Sequence, residues 1–187
     1  DLYQDGLSQG ETAFCSLSAI NVTNMTDEEY DEVAKIAVYG INKLIDKAPM
    51  MTGSMKHWIQ KRRSIGIGIT GLAGALYAKG LDFDHPAAKP EVAHIAERHA
   101  YHLYKASIEY AEEYDVKVDD IKTDWLPIDT AKHKYTLAYD WESIRGKDRA
   151  NSVLVAHMPT ESSAVDLKRL QGVTLVEKLR EFRENLK

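Results

Sequence analysis

Residues 12–20 alternate: Ala13, Cys15, Leu17 and Ala19 fall on one side, and Thr12, Phe14, Ser16 and Ser18 on the other. A period of two is the signature of a strand. The period then lengthens. Thr26 stands three residues before Glu29 as a capping box, with Met25 and Tyr30 placed to staple it. Tyr30, Val33, Ile36, Ala37, Ile41, Leu44 and Ile45 follow as a helical stripe that should end before Pro49. After a methionine-rich connection, Ile65–Ile69 is a short β-branched run broken by glycines, and Gly71–Ala78 is predicted to continue as a helix stopped by Gly80. Pro90 suits the first turn of a long helix whose apolar positions run from Val92 through Ile95, Ala96, His99, Leu103, Ala106 and Tyr110 to Tyr114.

An irregular stretch centred on Leu126-Pro127-Ile128-Asp129-Thr130 comes next. Asp140 can cap a short helix carrying Trp141 and Ile144, and Ser152–His157 reads as a further strand leading into Met158-Pro159-Thr160-Glu161-Ser162-Ser163. Residues 164–187 differ in texture. Thr174 and Glu177 form another capping box, and Val176, Leu179, Phe182 and Leu186 follow among charges of alternating sign, as in a solitary amphipathic helix. Strands separated by helices imply a parallel α/β arrangement. No internal repeat interrupts it.

Composition narrows the possible roles. At 187 residues the chain can bury one real core, and a net charge of −5 with interspersed signs disfavours a general nucleic-acid or anionic-membrane binder. No apolar run approaches the ~18 residues a bilayer crossing needs. The opening Asp1-Leu2-Tyr3-Gln4-Asp5 has neither an initiator methionine nor a signal-peptide pattern, so the chain reads as cut from a longer protein. A single cysteine, Cys15, excludes an internal disulfide framework and fits a reducing compartment. A lone cysteine is commonly an inert, buried small hydrophobe. If Cys15 is chemical, its partner sulfur must lie outside these residues.

Three further constellations carry chemistry only in the right context. Gly66-Ile67-Gly68-Ile69-Thr70-Gly71 matches GxGxxG, yet Lys61-Arg62-Arg63 stands where the preceding strand should be apolar, so close backbone packing is the competing reading. Glu91-Val92-Ala93-His94 is one Glu-x-x-His step, but a di-iron site needs a second copy, and none occurs. His94, His99 and His102 could share one helical face without holding a metal. The run Glu161-Ser162-Ser163 after Pro159 and Thr160 offers hydroxyls and amides at the start of whatever helix follows. That suits either an anion such as phosphate or an ordinary serine cap.

Five segments taken together resemble the large, catalytic subunit of class I ribonucleotide reductase: residues 11–19 around Cys15-Ser16-Leu17-Ser18-Ala19, Arg62-Arg63-Ser64-Ile65-Gly66-Ile67-Gly68, Leu126–Thr130, Tyr139-Asp140-Trp141-Glu142, and Asn151-Ser152 through Ser163. Their order and approximate spacing agree as well. The resemblance implies that residues 1–163 are part of a ten-stranded α/β barrel, with 164–187 a non-family, helical tail. It implies the reduction of ribonucleoside diphosphates to deoxyribonucleoside diphosphates by radical chemistry, in the cytoplasm. Cys15 then corresponds to one member of the reducing cysteine pair, and Pro159, Thr160, Glu161, Ser162 and Ser163 to the loop that holds the substrate's phosphates.

No cofactor is expected in this chain itself. The family uses a radical-generating metal centre on a separate small subunit and a thioredoxin or glutaredoxin as reductant, so the implied partners are these, the remaining segments of the large subunit and the diphosphate substrate. The radical-bearing cysteine, the second reducing cysteine, the tyrosine relay and the C-terminal cysteines would all lie outside these residues. A slice of barrel leaves strand edges and core faces open, so poor solubility or oligomerisation is expected in isolation. The abrupt departure after Ser163 suggests a diverted reading frame, such as an inserted element or split gene; Ala150, where an aromatic or basic residue often precedes Asn-Ser, is a smaller departure from the pattern. The competing expectation is a non-catalytic truncated product that acts as an assembly module.

Overall fold

The computed structural model of the protein describes residues 10–14, 16–23, 25–49, 52–118 and 137–160. Two parallel strands, β1 (Ser16–Asn21) and β2 (Ile65–Thr70), pair in the register Ser16 to Ile65 through Asn21 to Thr70. Between them run helices α1 (Asp27–Lys47) and α2 (Gly53–Arg62), so the crossover is helical, as parallel pairing requires. After β2 come the short α3 (Leu72–Ala78) and the long α4 (Ala88–Tyr114), then a 3₁₀ turn at Trp141–Ile144. The parallel α/β expectation holds for the described residues.

Local signals explain most boundaries. Both halves of the Thr26–Glu29 capping box are made, and α1 ends at Lys47 ahead of Pro49. Gly80, at φ 70, ends the α3 turn in a conformation that side chains resist. Asp140 accepts from the Ser143 amide to start the 3₁₀ turn. Helices α1 and α4 lie side by side on one face of the sheet, where Ile20, Ile65 and Ile67 meet Tyr30, Val33, Ala34, Val38, Ile95 and Leu103 in one buried cluster. Lys35–Glu109 and Lys105–Asp31 pairs stitch the outer seam of these helices.

Four expectations need correction. The first strand begins at Ser16 rather than Thr12, because residues 11–14 bond to α2 instead of β2: Thr12 N–H donates to Ser54 O, and the Trp58 indole donates to Phe14 O at 2.8 Å. Helix α2 occupies the stretch expected to be a connection. Ser152–His157 is not a regular strand. It meets β2 through one parallel bridge, Val155 to Ile67, and the amides of Ile65 and Ile67 take carbonyls from adjacent residues, Val153 and Leu154, which breaks the two-residue ladder. Leu44, placed on the α1 stripe, is 60% exposed, and Val38 takes its place inside. The expected helix at 164–187 and the Leu126–Thr130 segment lie outside the described residues.

Candidate functional site

The two faces of the sheet divide the work. Strand alternation turns Ser16, Ser18 and Ile20 with Ile65, Ile67 and Ile69 toward the helices. Leu17, Ala19, Gly66 and Gly68 therefore form the opposite face, where Leu17 is 57% exposed. Cys15, Glu161, Ser162 and Ser163 lie outside the described residues. Of the expected site, the structure places Pro159, exposed, and Thr160, half-buried, at the end of the segment that crosses this second face.

Gly68 marks the crossing. A Cβ built there would sit 2.6 Å from Ala156 O, 2.9 Å from Met158 Sδ and 3.5 Å from His157 Cα. Three consecutive residues thus crowd one glycine, so the chain turns over β2 instead of running on beside it. The GxGxxG match dissolves here: Gly66 and Gly68 lie within β2, and Gly68 serves close backbone approach. Gly71 does similar work at the strand's end, where, at φ 77, its virtual Cβ lies 2.2 Å from Asn21 Oδ1 and Thr23 Oγ1 donates to its carbonyl.

A buried polar hub fixes the start of the crossing segment. Asn151 and Asn42, both fully buried, exchange side-chain hydrogen bonds at 3.0 and 3.1 Å. Asn151 also donates to Arg63 O, and its side-chain oxygen accepts from Ser107. Arg63, left-handed at φ 41, is held there because its guanidinium reaches Asn42 and, at 2.7 Å, Asp46. Ser64 and Ser152 hydroxyls meet at 2.9 Å. The Arg62-Arg63-Ser64 and Asn151-Ser152 segments are therefore bonded partners, a relation their sequence separation hid. Ala150 is fully buried against Tyr110 and Ala111, with its amide on Ser107 O, which explains a small residue there.

The three histidines of α4 go separate ways. His99 is buried, with Nε2 bonded to Ile67 O at 2.9 Å and Nδ1 to the Tyr30 hydroxyl at 2.7 Å. A carbonyl only accepts, so Nε2 carries the proton and Tyr30 donates to Nδ1. Burial holds this imidazole down to about 4 and pushes the Tyr30 phenol up. His102 bonds Asp31, and that hydrogen bond, joined by Lys105, outweighs burial and holds the Asp31 carboxyl at about 2. His94 stacks on Tyr139. Among the described residues no cluster of three or more His, Cys, Asp or Glu could hold a metal ion.

A cleft of about 210 Å³ at the carboxyl ends of the strands is lined by Val22, Met25, Lys79, Glu91 and Arg98, among others. Its charges are already engaged: Lys79 pairs with Glu91, and Arg98 donates to Met25 O and Val22 O.

The sequence matches the ribonucleotide reductase barrel domain over residues 3–187. The chain belongs to the ribonucleotide reductase barrel-domain family. The match continues past residue 163, so it does not stop at the boundary expected there. The chain is similar to the ribonucleoside-diphosphate reductase alpha subunits of Helicobacter pylori, 27% identical over 95% of this chain and 25% of that protein, and of Haemophilus influenzae, 34% identical over 88% and 24%. It is also similar to the Variola virus large subunit, at 32% identity over 87% of this chain and 23% of the relative. The chain thus spans about a quarter of the length of the curated relatives it matches. Among the described residues no helix is long and apolar enough to cross a membrane.

Proposed function

We propose that this chain is a segment of the ten-stranded α/β barrel of a class I ribonucleotide reductase large subunit, and that it contributes to reducing ribonucleoside diphosphates in the cytoplasm. Cys15 supplies one of two reducing thiols. As the substrate's 2′ hydroxyl leaves as water, the two thiols give up two protons and two electrons and close as a disulfide, which a thioredoxin or glutaredoxin reopens. Pro159, Thr160, Glu161, Ser162 and Ser163 hold the diphosphate. The radical comes from a metal centre on a separate small subunit, and the second reducing thiol from another part of the large subunit.

The observation that carries this reading is the match to the ribonucleotide reductase barrel domain over residues 3–187. The segment leading to Pro159 and Thr160 crosses the sheet at Gly68, on the side that carries Leu17 and Ala19. That side is thinly furnished, with glycine and alanine as its floor. Close positioning matters here, because reacting atoms must be held about 3–3.5 Å apart.

The chain alone is expected to be inactive. The test is to mix it with separately expressed flanking segments and the small subunit, and to assay diphosphate reduction. Recovered activity that disappears in Cys15→Ser supports the proposal. A stable complex without activity indicates the non-catalytic assembly module instead, and no complex at micromolar concentration counts against both.

A further inference from the structure

One stripe of α4 lines the cleft at the carboxyl ends of β1 and β2: Glu91, His94, Ile95 and Arg98 follow one another at the spacing of a single helix face. The Glu91-x-x-His94 step, which has no second copy with which to share a metal, thus belongs to a different setting. Ala75, Ala78 and Lys79 join the lining from α3 and its end. We propose that this cleft binds a small organic carboxylate, its charged group held by the Arg98 guanidinium and its short hydrocarbon end laid against Ala75, Ala78 and Ile95. The crevice beyond the carboxyl ends of parallel strands is where α/β folds place ligands.

Arg98 carries the inference. It is 8% exposed, and its guanidinium lies 4.5 Å from the centre of the Tyr30 ring, a contact that orients it. Nη1 donates to Met25 O at 3.1 Å, with the Asp27 carboxylate 3.6 Å away. The edge formed by Nε and Nη2 is a two-donor fork of the kind that matches a carboxylate. There Nε is buried without a partner, and Nη2 has one long bond, 3.4 Å, to Val22 O. A buried donor left unpaired is costly, and a carboxylate on this edge relieves it. Because Nε is shielded from solvent, the anion leaves water as it binds. Met25, the flexible member of the lining, can yield as it enters.

The remaining charges set the class of ligand. Lys79 pairs with Glu91, yet an ammonium has three donors and that bond uses one. Two cations against one carboxylate favour an anion over an amine. A volume of about 210 Å³ has room for a carboxylate on a chain of about four carbons.

The experiment follows butyrate binding to this chain assembled with its flanking segments, through relaxation of the butyrate methyl signal in NMR. Acetate, butylamine and inorganic phosphate serve as competitors, and thermal melting is recorded for every variant. Butyrate should bind with a Kd of about 1 mM. Acetate should compete about tenfold more weakly, because two methylenes no longer reach the apolar wall, and butylamine should not compete. Arg98→Lys should weaken butyrate at least about tenfold, since an ammonium lacks the fork. Ala78→Phe, at an exposed position, fills the cleft and should abolish binding. Glu91→Gln removes a repelling charge and should tighten binding about threefold.

Absence of butyrate binding in the parent assembly overturns the inference. So does competition by butylamine, or by phosphate as strongly as by butyrate itself. Acetate as tight as butyrate refutes the apolar wall, and parental affinity in a folded Arg98→Lys refutes the fork. Should Arg98→Lys fail to fold, the other two variants decide: unchanged affinity in Ala78→Phe, or weaker binding in Glu91→Gln, contradicts an anion seated in this cleft.

Discussion

The helix-covered face of the sheet and its opposite face are built from the same twelve strand residues, yet they are opposites in chemistry. On the covered face, Ile65 and Ile67 are wholly buried, and even the polar groups Tyr30, His99 and Ile67 O are bonded to one another. On the other face stand Leu17, Ala19, Gly66 and Gly68, with the 156–158 crossing laid over one end. The first face spends its side chains on cohesion. The second carries glycine and alanine, with Gly66 and Gly68 buried and Leu17 exposed. A strand's two-residue period thus separates a tightly bonded face from a sparsely furnished one.

Substitutions can break that division. The largest effect is expected at the hub behind the covered face. Asn151→Leu would strand Asn42, the Ser107 hydroxyl and Arg63 O in a dry interior. A loss of about 4 kcal/mol is expected in urea denaturation, from several buried groups each left without a partner.

The next effect is a pH dependence confined to the covered face. His99 is depressed from 6.5 to about 4. The unfolded chain therefore binds the extra proton between those values, so this contribution is complete above about pH 6.5 and declines as pH falls toward 4. The total is about 3 kcal/mol. His99→Gln, which can still accept from Tyr30 and donate to Ile67 O, should flatten stability across that window. Asp31, depressed from 3.8 to about 2, acts in a lower one: its contribution is present above pH 3.8 and is lost between there and 2. A stability profile through both ranges distinguishes the two groups.

The smallest effect on stability belongs to the open face. Leu17→Ser should shift unfolding by less than about 0.5 kcal/mol, since the side chain is already 57% exposed. The same change should weaken assembly with the flanking segments, measured by sedimentation. A reversed ranking of Asn151→Leu and Leu17→Ser would remove the distinction between the faces.

The fold was legible where local chemistry decides it. The Thr26–Glu29 box, the stop before Pro49, the Gly80 turn and the Asp140 cap each rest on contacts within a few residues. Helix α2 was hidden because Gly53, Ser54 and His57 are weak helix formers and its apolar residues are few. Its one local signal was Thr52, whose hydroxyl accepts from the Met55 amide. The irregular course of 152–157 was not legible at all. Its alternation suits a strand, and what bends it is a glycine more than 80 residues earlier. The hub escaped for the same reason: Asn42, Arg63, Ser107 and Asn151 meet only in three dimensions. The candidate site was legible only through the resemblance of the Cys15 and Pro159–Ser163 segments, of which Pro159 and Thr160 alone are among the described residues.

The redox role of Cys15 can be tested on the sulfur itself. The assembled protein is allowed one turnover of a ribonucleoside diphosphate without external reductant, then alkylated and mapped by mass spectrometry. The account predicts that the Cys15 peptide is recovered disulfide-linked to a cysteine of another large-subunit segment, in proportion to deoxynucleotide formed. Product formed while Cys15 remains a free, alkylatable thiol would contradict it.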